Sequence, residues 1–241
     1  MTRMQPLSNL VAQLWSAVLL ILHIPGLATQ TEVIHTALIV VPPLFDEIQV
    51  LTMTDVLRRA EVQVSLASMV PGSMEVRGQH GLSIVTDIQL PSSTEPTMDM
   101  ILIPSGDHTY EYMSADSDLG ALLQAYARDR KYIAAMGTGV GVLANRKIYS
   151  GSQVTVYPSL ESIAAQNFRI SGENVVIDGP LFTARASVNA LEFALNTVER
   201  HAPRNSNERL HSNCMLRRSL ISGFEAEEEV RDQSDHTGFS C

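Results

Sequence analysis

Apolar positions between residues 36 and 201 follow two different periods in alternation, which predicts strands separated by helices. Short apolar or alternating runs predict strands at residues 37–41, 62–67, 82–86, 100–103, 132–135, 153–156, 174–177 and 181–184. Helical periodicity predicts helices at residues 46–60, 119–128 and 187–200. Repeated alternation of this kind is typical of a mostly parallel sheet with helices on both faces, so we predict an α/β fold for a domain at residues 36–201.

The same periodicity predicts which faces of two helices are buried. We expect the core-facing side chains of the helix at residues 46–60 to be Ile48, Leu51, Val56 and Leu57. We expect those of the helix at residues 187–200 to be Leu191, Ala194, Leu195 and Val198. Each apolar face would pack against the predicted core.

A short apolar run and a cluster of glycines suggest the most informative turn of the chain. The run at residues 132–135 predicts a buried strand, and Gly137, Gly139 and Gly141 follow it directly. Many α/β enzymes place a nucleophile at so tight a strand-to-helix turn, because the strained backbone lifts one side chain above the sheet. The residue predicted at the apex is Gly137, so the turn has the form of a catalytic elbow without a reacting side chain.

Composition and charge narrow the classes of function. Of the 241 residues, 45% are hydrophobic and 18% are charged, which predicts a largely globular chain. The net charge of −9 argues against a nucleic-acid partner, which requires a basic surface. Both cysteines, Cys214 and Cys241, lie near the C-terminus, so the predicted domain has no thiol for catalysis. No pattern of metal ligands is present, and we predict neither a metal site nor a cofactor.

Both ends of the chain differ in composition from the predicted domain. Residues 1–30 contain Arg3 as their only charged residue and an apolar run of 11 residues at 14–24. The small residues Gly26 and Ala28 follow this run, which favours a secretory signal peptide. The apolar run itself is too short for a stable membrane span. The alternatives are a noncleaved or mitochondrial leader, with a location in the cytoplasm or mitochondrion. Residues 202–241 are polar and charged, which predicts a disordered tail.

Several segments, in order, resemble the DJ-1/ThiJ/PfpI family. Residues 37–68, ALIVVPPLFDEIQVLTMTDVLRRAEVQVSLAS, resemble the family's opening strand, first helix and second strand. Residues 131–144, KYIAAMGTGVGVLA, resemble its nucleophile elbow. Further similarity lies in MDMILIPSG at 98–106, SGSQVTVYPSLE at 150–161 and NVVIDGPLFTARASVNALEFAL at 174–195. The resemblance spans about residues 36–201. It implies a flavodoxin-like three-layer α/β/α sandwich, commonly found as a homodimer.

The resemblance also identifies positions at which this chain departs from the family's chemistry. The family's nucleophilic cysteine corresponds to Gly137, its neighbouring carboxylate to Gln49, and its histidine to Tyr157. Gly137 has no atom that can attack a carbonyl, and Gln49 cannot exchange a proton near neutral pH. In other enzymes, deleting the nucleophile alone removes about a million-fold of the rate. These replacements therefore predict that the family's reaction is lost.

Other matched positions are candidates for binding a small anionic or carbonyl ligand. The family's Gly-Gly turn corresponds to Ser105-Gly106, and its Arg-Gly-Pro-Gly loop begins at Arg185. Free backbone amides at Gly137 and Thr138 would add donors for an anion. The binding candidates are Ser105, Gly106, Gly137, Thr138 and Arg185.

Three side chains are weak candidates to replace the missing nucleophile and base. They are Ser105, Thr138 and His108, with His80 on another loop that would approach the pocket. A grouping of Ser105, Asp107 and His108 is conceivable, but neighbours this close in sequence rarely arrange as a triad. We favour an ordinary loop histidine at position 108.

The preferred hypothesis is a noncatalytic family member, a pseudoenzyme that serves as a binding, regulatory or stress-response-related scaffold. The alternative is a glyoxalase-like or protein deglycase-like enzyme with a rebuilt active site. A third hypothesis is a secreted interaction protein that binds its partner through the tail. Fold alone does not decide among them, because one fold hosts many functions.

Overall fold

The computed structural model describes residues 33–92 and 95–201, and a seven-stranded sheet lies at its centre. The strands are β1 (Thr36–Val41), β2 (Gln63–Ser68), β3 (Glu75–Arg77), β4 (Ser83–Val85), β5 (Ile88–Gln89), β6 (Met100–Ile103), β7 (Tyr132–Met136), β8 (Gln153–Val154), β9 (Arg169–Ile170), β10 (Val175–Asp178) and β11 (Leu181–Ala184). The order in the sheet is β10-β11-β7-β6-β1-β2-β5. Every neighbouring pair is parallel except β10 and β11, so the expected mostly parallel sheet is confirmed.

Helices cover both faces of this sheet. The α-helices are α1 (Glu47–Arg59), α2 (Thr109–Ala115), α3 (Ser117–Arg128), α4 (Gly139–Asn145), α5 (Glu161–Ala164) and α6 (Ala190–His201), with short 3₁₀ turns at Pro158–Leu160 and Ser187–Asn189. Alternate residues of β1 enter different apolar clusters, since Ile39 packs with α1 and α6 while Val40 packs with α3 and α4. This arrangement confirms the three-layer α/β/α sandwich.

The buried face of α1 differs from the predicted one. Val56 and Leu57 are buried as expected, but Ile48 is 60% exposed and Leu51 is 37% exposed. The core side of the helix is instead completed by Val50 and Met53. In the first turn the buried side includes the polar residues Glu47 and Gln49, which apolar periodicity could not select.

The face of α6 shows a related difference. Ala194 and Val198 are buried and Leu195 is partly buried, but Leu191 is 44% exposed. Phe193, which periodicity did not select, is fully buried in the cluster shared with α1. The helix also begins at Ala190 rather than 187, because residues 187–189 form a 3₁₀ turn.

Two predicted strands form in shortened versions outside the central sheet. The segment predicted at 82–86 becomes β4, which pairs antiparallel with β3. The segment predicted at 153–156 becomes β8, which pairs with β9. Local alternation identified these strands but not their partners, because pairing depends on the turns that return the chain. Helices α2 and α5 and strands β3, β5 and β9 were not predicted.

The predicted leader at residues 1–30, the tail at residues 202–241 and both cysteines lie outside the described residues. Within residues 33–92 and 95–201, no helix combines the length and the apolar character needed to cross a membrane.

Candidate functional site

A pocket of about 500 Å³ opens where several parallel strands end. The residues that line it are Asp46, Gln79, His80, Ser105, Gly106, Asp107, Thr138, Tyr157, Ala186 and Ser187. Most of them follow the carboxyl ends of β1, β6, β7 and β11. Ligands of open α/β sheets bind at this edge, so the pocket is the candidate functional site of the described domain.

Gly137 lies in the tight connection between β7 and α4. Its φ angle is +53°, and its backbone amide donates to the carbonyl oxygen of Ala184 at 2.9 Å. A β-carbon built on Gly137 would lie 2.8 Å from Ser105 Oγ and 3.6 Å from Gln49 Nε2. A side chain at this turn would therefore point directly at Ser105, whose hydroxyl occupies the space that it would need.

Gln49 forms hydrogen bonds through both ends of its side-chain amide. Nε2 donates to Ser105 Oγ at 2.6 Å and to Ser187 Oγ at 3.1 Å. Oε1 accepts from the backbone amide of Ser105 at 2.7 Å. Gln49 is fully buried, and its bonds satisfy a polar group whose burial would otherwise be costly. The residue thereby fixes the position of both serines in the wall of the site.

Asp46 combines a structural role with a position in the pocket. Its Oδ1 accepts from the backbone amide of Gln49 at 3.1 Å, which caps the N-terminus of α1. Its Oδ2 accepts from the hydroxyl of Ser187 and from Gln79 Nε2 at 3.4 Å. Asp46 is only 6% exposed, yet it forms no ion pair with a Lys or Arg of the described residues.

Glu47 connects α1 to the loop that carries His80. Its carboxylate accepts from the backbone amide of His80 at 2.7 Å and lies 3.2 Å from His80 Nδ1. A β-carbon on Gly78 would overlap this carboxylate, so the loop requires glycine there. Burial raises the pKa of Glu47, but hydrogen bonds from the backbone and ring of His80 and from the backbone of Leu82 hold the pKa below its usual value. The ring of His80 lies at the pocket's rim.

Thr138 and Tyr157 both line the pocket, in different environments. Thr138 Oγ1 is buried and has no hydrogen-bond partner among the described residues. Tyr157 is 46% exposed, and its backbone amide lies 3.5 Å from the carbonyl oxygen of Gly137. Helix α4 has only seven residues, so its short N-terminus adds little to the binding of an anion.

Two of the sequence-derived candidates lie away from the pocket. His108 is exposed and faces Asp107, with 3.6 Å between Nε2 and Oδ1, and no hydrogen bond joins it to Ser105. Arg185 donates to the carbonyl oxygen of Gly172 at 3.1 Å and to Glu161 Oε1 at 3.4 Å. The lining thus contains the carboxylates of Asp46 and Asp107 but neither lysine nor arginine.

Sequence reasoning missed three members of the site, namely Asp46, Gln79 and Ser187 as a pocket residue. Asp46 could have been found, since an aspartate directly before an amphipathic helix is a strong N-cap signal. Gln79 and Ser187 carry no local signal of this kind. Within the described residues no group of three His, Cys, Asp or Glu side chains could hold a metal ion.

Within the part of the chain that the structure describes, neither Ser105 nor Thr138 has a general base within hydrogen-bond reach. Ser105 Oγ receives a hydrogen bond from an amide, which cannot withdraw its proton. No histidine or carboxylate of the described residues forms a hydrogen bond with Ser105 Oγ or Thr138 Oγ1. A serine or threonine needs such a base to attack at neutral pH.

Comparisons with known proteins agree with this architecture. The model of the DJ-1/PfpI family matches residues 35–200. Protein dj-1beta of Drosophila melanogaster is 31% identical over 165 residues, which are 68% of this chain and 88% of that protein. Its crystal structure superposes with a TM-score of 0.68 at 29% identity and covers 74% of this chain and 97% of that one. The glutathione-independent glyoxalase DJR-1.2 of Caenorhabditis elegans is 29% identical over 184 residues, 76% of this chain and 97% of that protein.

Proposed function

This chain belongs to the DJ-1/PfpI family, and we propose that it is a noncatalytic member that binds a small ligand in the pocket beside Gly137. One observation carries the proposal. The space into which a side chain at Gly137 would point is occupied by Ser105 Oγ, and Gln49 holds that hydroxyl in place. The site is thus built as a hydrogen-bonded wall around a cavity rather than around a reactive atom.

The hydrogen bonds formed by the serine hydroxyl groups of the pocket wall support this proposal. Ser105 accepts from Gln49, and Ser187 donates to Asp46 while it accepts from Gln49. Such a network orders the lining and leaves it ready to exchange hydrogen bonds with a ligand. A pocket of about 500 Å³ lies within the range usual for small-molecule sites.

A rebuilt glyoxalase-like or deglycase-like enzyme is the second candidate, and one contact favours it. The hydroxyl of Ser187 donates to the Asp46 carboxylate at the pocket wall, which is the one serine–carboxylate pair at the described site. A relative named as a glyoxalase makes this candidate worth testing. Against it, a carboxylate is a weak base towards a serine hydroxyl, so little activation is expected.

Assembly as a homodimer completes the proposal. Ile48 is 60% exposed and Val188 is 86% exposed, although both are large and apolar. They directly adjoin Gln49 and Ser187 in sequence, and because those two residues are joined by a hydrogen bond, the segments that carry Ile48 and Val188 lie next to each other. Burial of this apolar area by a second copy would remove it from water and place the contact beside the pocket.

Turnover of methylglyoxal tests the proposed function, with the glyoxalase DJR-1.2 as the positive control. We expect the purified full-length chain to consume methylglyoxal no faster than buffer does. The variants Ser187→Ala and Ser105→Ala should leave this background unchanged. Turnover above background that either substitution abolishes would overturn the proposal and establish the second candidate.

A further inference from the structure

We infer that the pocket binds small organic cations of the primary ammonium or guanidinium class, with the charged end against Asp46. This inference rests on the proposed function, because it takes the pocket to be a binding site, and it adds the chemical class of the ligand. It differs from the expectation of an anionic ligand that the sequence suggested. The fold places the carboxylates of Asp46 and Asp107 in the pocket lining and Arg185 outside it.

The first reason is the environment of the Asp46 carboxylate. It is almost completely buried, and its partners are an amide nitrogen of the backbone, a serine hydroxyl and a glutamine amide. Buried charges in proteins are usually paired with an opposite charge, because neutral hydrogen bonds replace only part of the lost hydration. The positive end of the α1 dipole offsets part of the negative charge near Oδ1. Oδ2 accepts hydrogen bonds from Ser187 and Gln79, which both line the pocket.

The second reason is the sign of the charge around the cavity. Asp107 adds a second carboxylate to the lining, while the guanidinium of Arg185 contacts Glu161 instead. The Glu47 carboxylate accepts from the backbone amide of His80 and lies 3.2 Å from its Nδ1, so the ring at the rim already faces a carboxylate. An anion would thus enter a cavity lined by negative charge, whereas a cation would be attracted.

The third reason is the supply of neutral hydrogen-bonding groups. Besides the Asp46 carboxylate, the lining contains the hydroxyl groups of Ser105 and Ser187, each of which can accept a further hydrogen bond. An ammonium or guanidinium group offers several donors for these oxygen atoms. A bare divalent metal fits less well, since no group of three ligating side chains occurs among the described residues.

Three probes of matched size test the inference on the full-length protein: n-butylammonium, butan-1-ol and butyrate. Binding is measured from the amide NMR shifts of Gly106 and Thr138. We expect n-butylammonium to bind about tenfold more tightly than butan-1-ol, and butyrate to bind more weakly than either, as a charged hydrogen bond implies. Equal or tighter binding of butyrate would overturn the inference, as would no shift with any of the probes.

Asp46→Asn is the informative variant, because asparagine caps a helix as well as aspartate does, so the bond from Gln49 is kept while the charge and the acceptor at Oδ2 are removed. We expect it to weaken n-butylammonium about tenfold and to leave butan-1-ol unchanged. Asp55→Asn is the control, since Asp55 lies on the same helix, is exposed and pairs with Arg59. Unchanged n-butylammonium affinity in Asp46→Asn contradicts the inference. Methylglyoxal turnover, measured separately, contradicts only the noncatalytic function.

Discussion

Gln49 forms two hydrogen bonds with Ser105: Nε2 donates to Oγ at 2.6 Å, and Oε1 accepts from the backbone amide at 2.7 Å. The pair joins the first turn of α1 to the end of β6, directly in front of Gly137. The two positions at which the resemblance predicted a thiol and a carboxylate are therefore not surrounded by empty space. Gln49 belongs to a connected polar network, and a side chain at position 137 would collide with Ser105 unless that network moved.

Gly137→Ala measures how completely Ser105 fills that space. Gly72 also has a positive φ, +73° against +53°, but nothing lies within 4 Å of a β-carbon built on it. We expect Gly72→Ala to cost about 1 kcal/mol of unfolding free energy for backbone strain alone. Gly137→Ala should cost about 3 kcal/mol, because overpacking adds to the strain. Urea denaturation measures both.

The double variant Gly137→Ala/Ser105→Ala separates the two contributions. Removing Ser105 Oγ eliminates the closest contact, so the double variant should be more stable than the sum of the single effects predicts. Strict additivity would show that Ser105 does not occupy the space of a side chain at 137.

Gln49→Leu tests whether the amide of Gln49 holds the site together. The substitution keeps the buried volume but leaves the backbone amide and hydroxyl of Ser105 without their partners. We expect a loss of about 3 kcal/mol in unfolding free energy, since each buried unsatisfied group is costly. Gln124→Leu, at an exposed position of α3, is the matched control and should stay within about 0.5 kcal/mol of the wild type. Equal effects of the two substitutions would contradict this role.

Glu47 gives the stability of the domain a defined dependence on pH. Its pKa is lower in the folded state than in the unfolded chain, so the unfolded state binds more protons in the acidic range. The stabilisation is present above the unfolded value near 4.5 and is lost as the pH falls through the folded value. Glu47→Gln should therefore cost about 1 kcal/mol at pH 7 and progressively less as the pH falls through this range.

Thermal unfolding of wild type and Glu47→Gln between pH 3 and pH 7 provides the measurement. The two curves should converge at the acidic end. A constant difference across the range would mean that the carboxylate's charge does not contribute, and that only packing was changed.

Thiol modification should leave the pocket unaffected. The only cysteines of the chain are Cys214 and Cys241, both outside residues 35–200 that match the family model. We expect complete alkylation with iodoacetamide to leave probe binding within about twofold of the untreated protein, because no thiol lies in the pocket lining. Loss of binding after alkylation would show that a cysteine contributes to the site.

Ile48→Asp tests the proposed homodimer. A charge at this exposed apolar position should disrupt a contact that buries it and convert the dimer to a monomer in light scattering after gel filtration. Val33→Asp is the control, because Val33 is also exposed and apolar but belongs to the segment before β1 and to neither of the two segments that carry Ile48 and Val188. A wild-type chain that is monomeric at all concentrations tested would refute the proposal.

The sequence by itself determined the α/β fold and the strands that build the centre of the sheet. Apolar runs such as residues 100–103 and 132–135 report burial on both faces, and burial is a local property of each run. The nearby Gly137 also determined that position 137 offers no reacting side chain, because a side chain that is absent from the sequence cannot be supplied by folding.

Only the tertiary structure decided what occupies the site instead. Gln49 and Ser105 are 56 positions apart, and Asp46 and Ser187 are 141 positions apart. Parallel strands bring their carboxyl ends together at one edge of the sheet, so side chains from loops that are distant in sequence lie close enough to bond there. Which partners form hydrogen bonds depends on their positions in space rather than on periodicity along the chain. For the same reason Arg185 contacts Glu161, and the pocket lining keeps its negative charge.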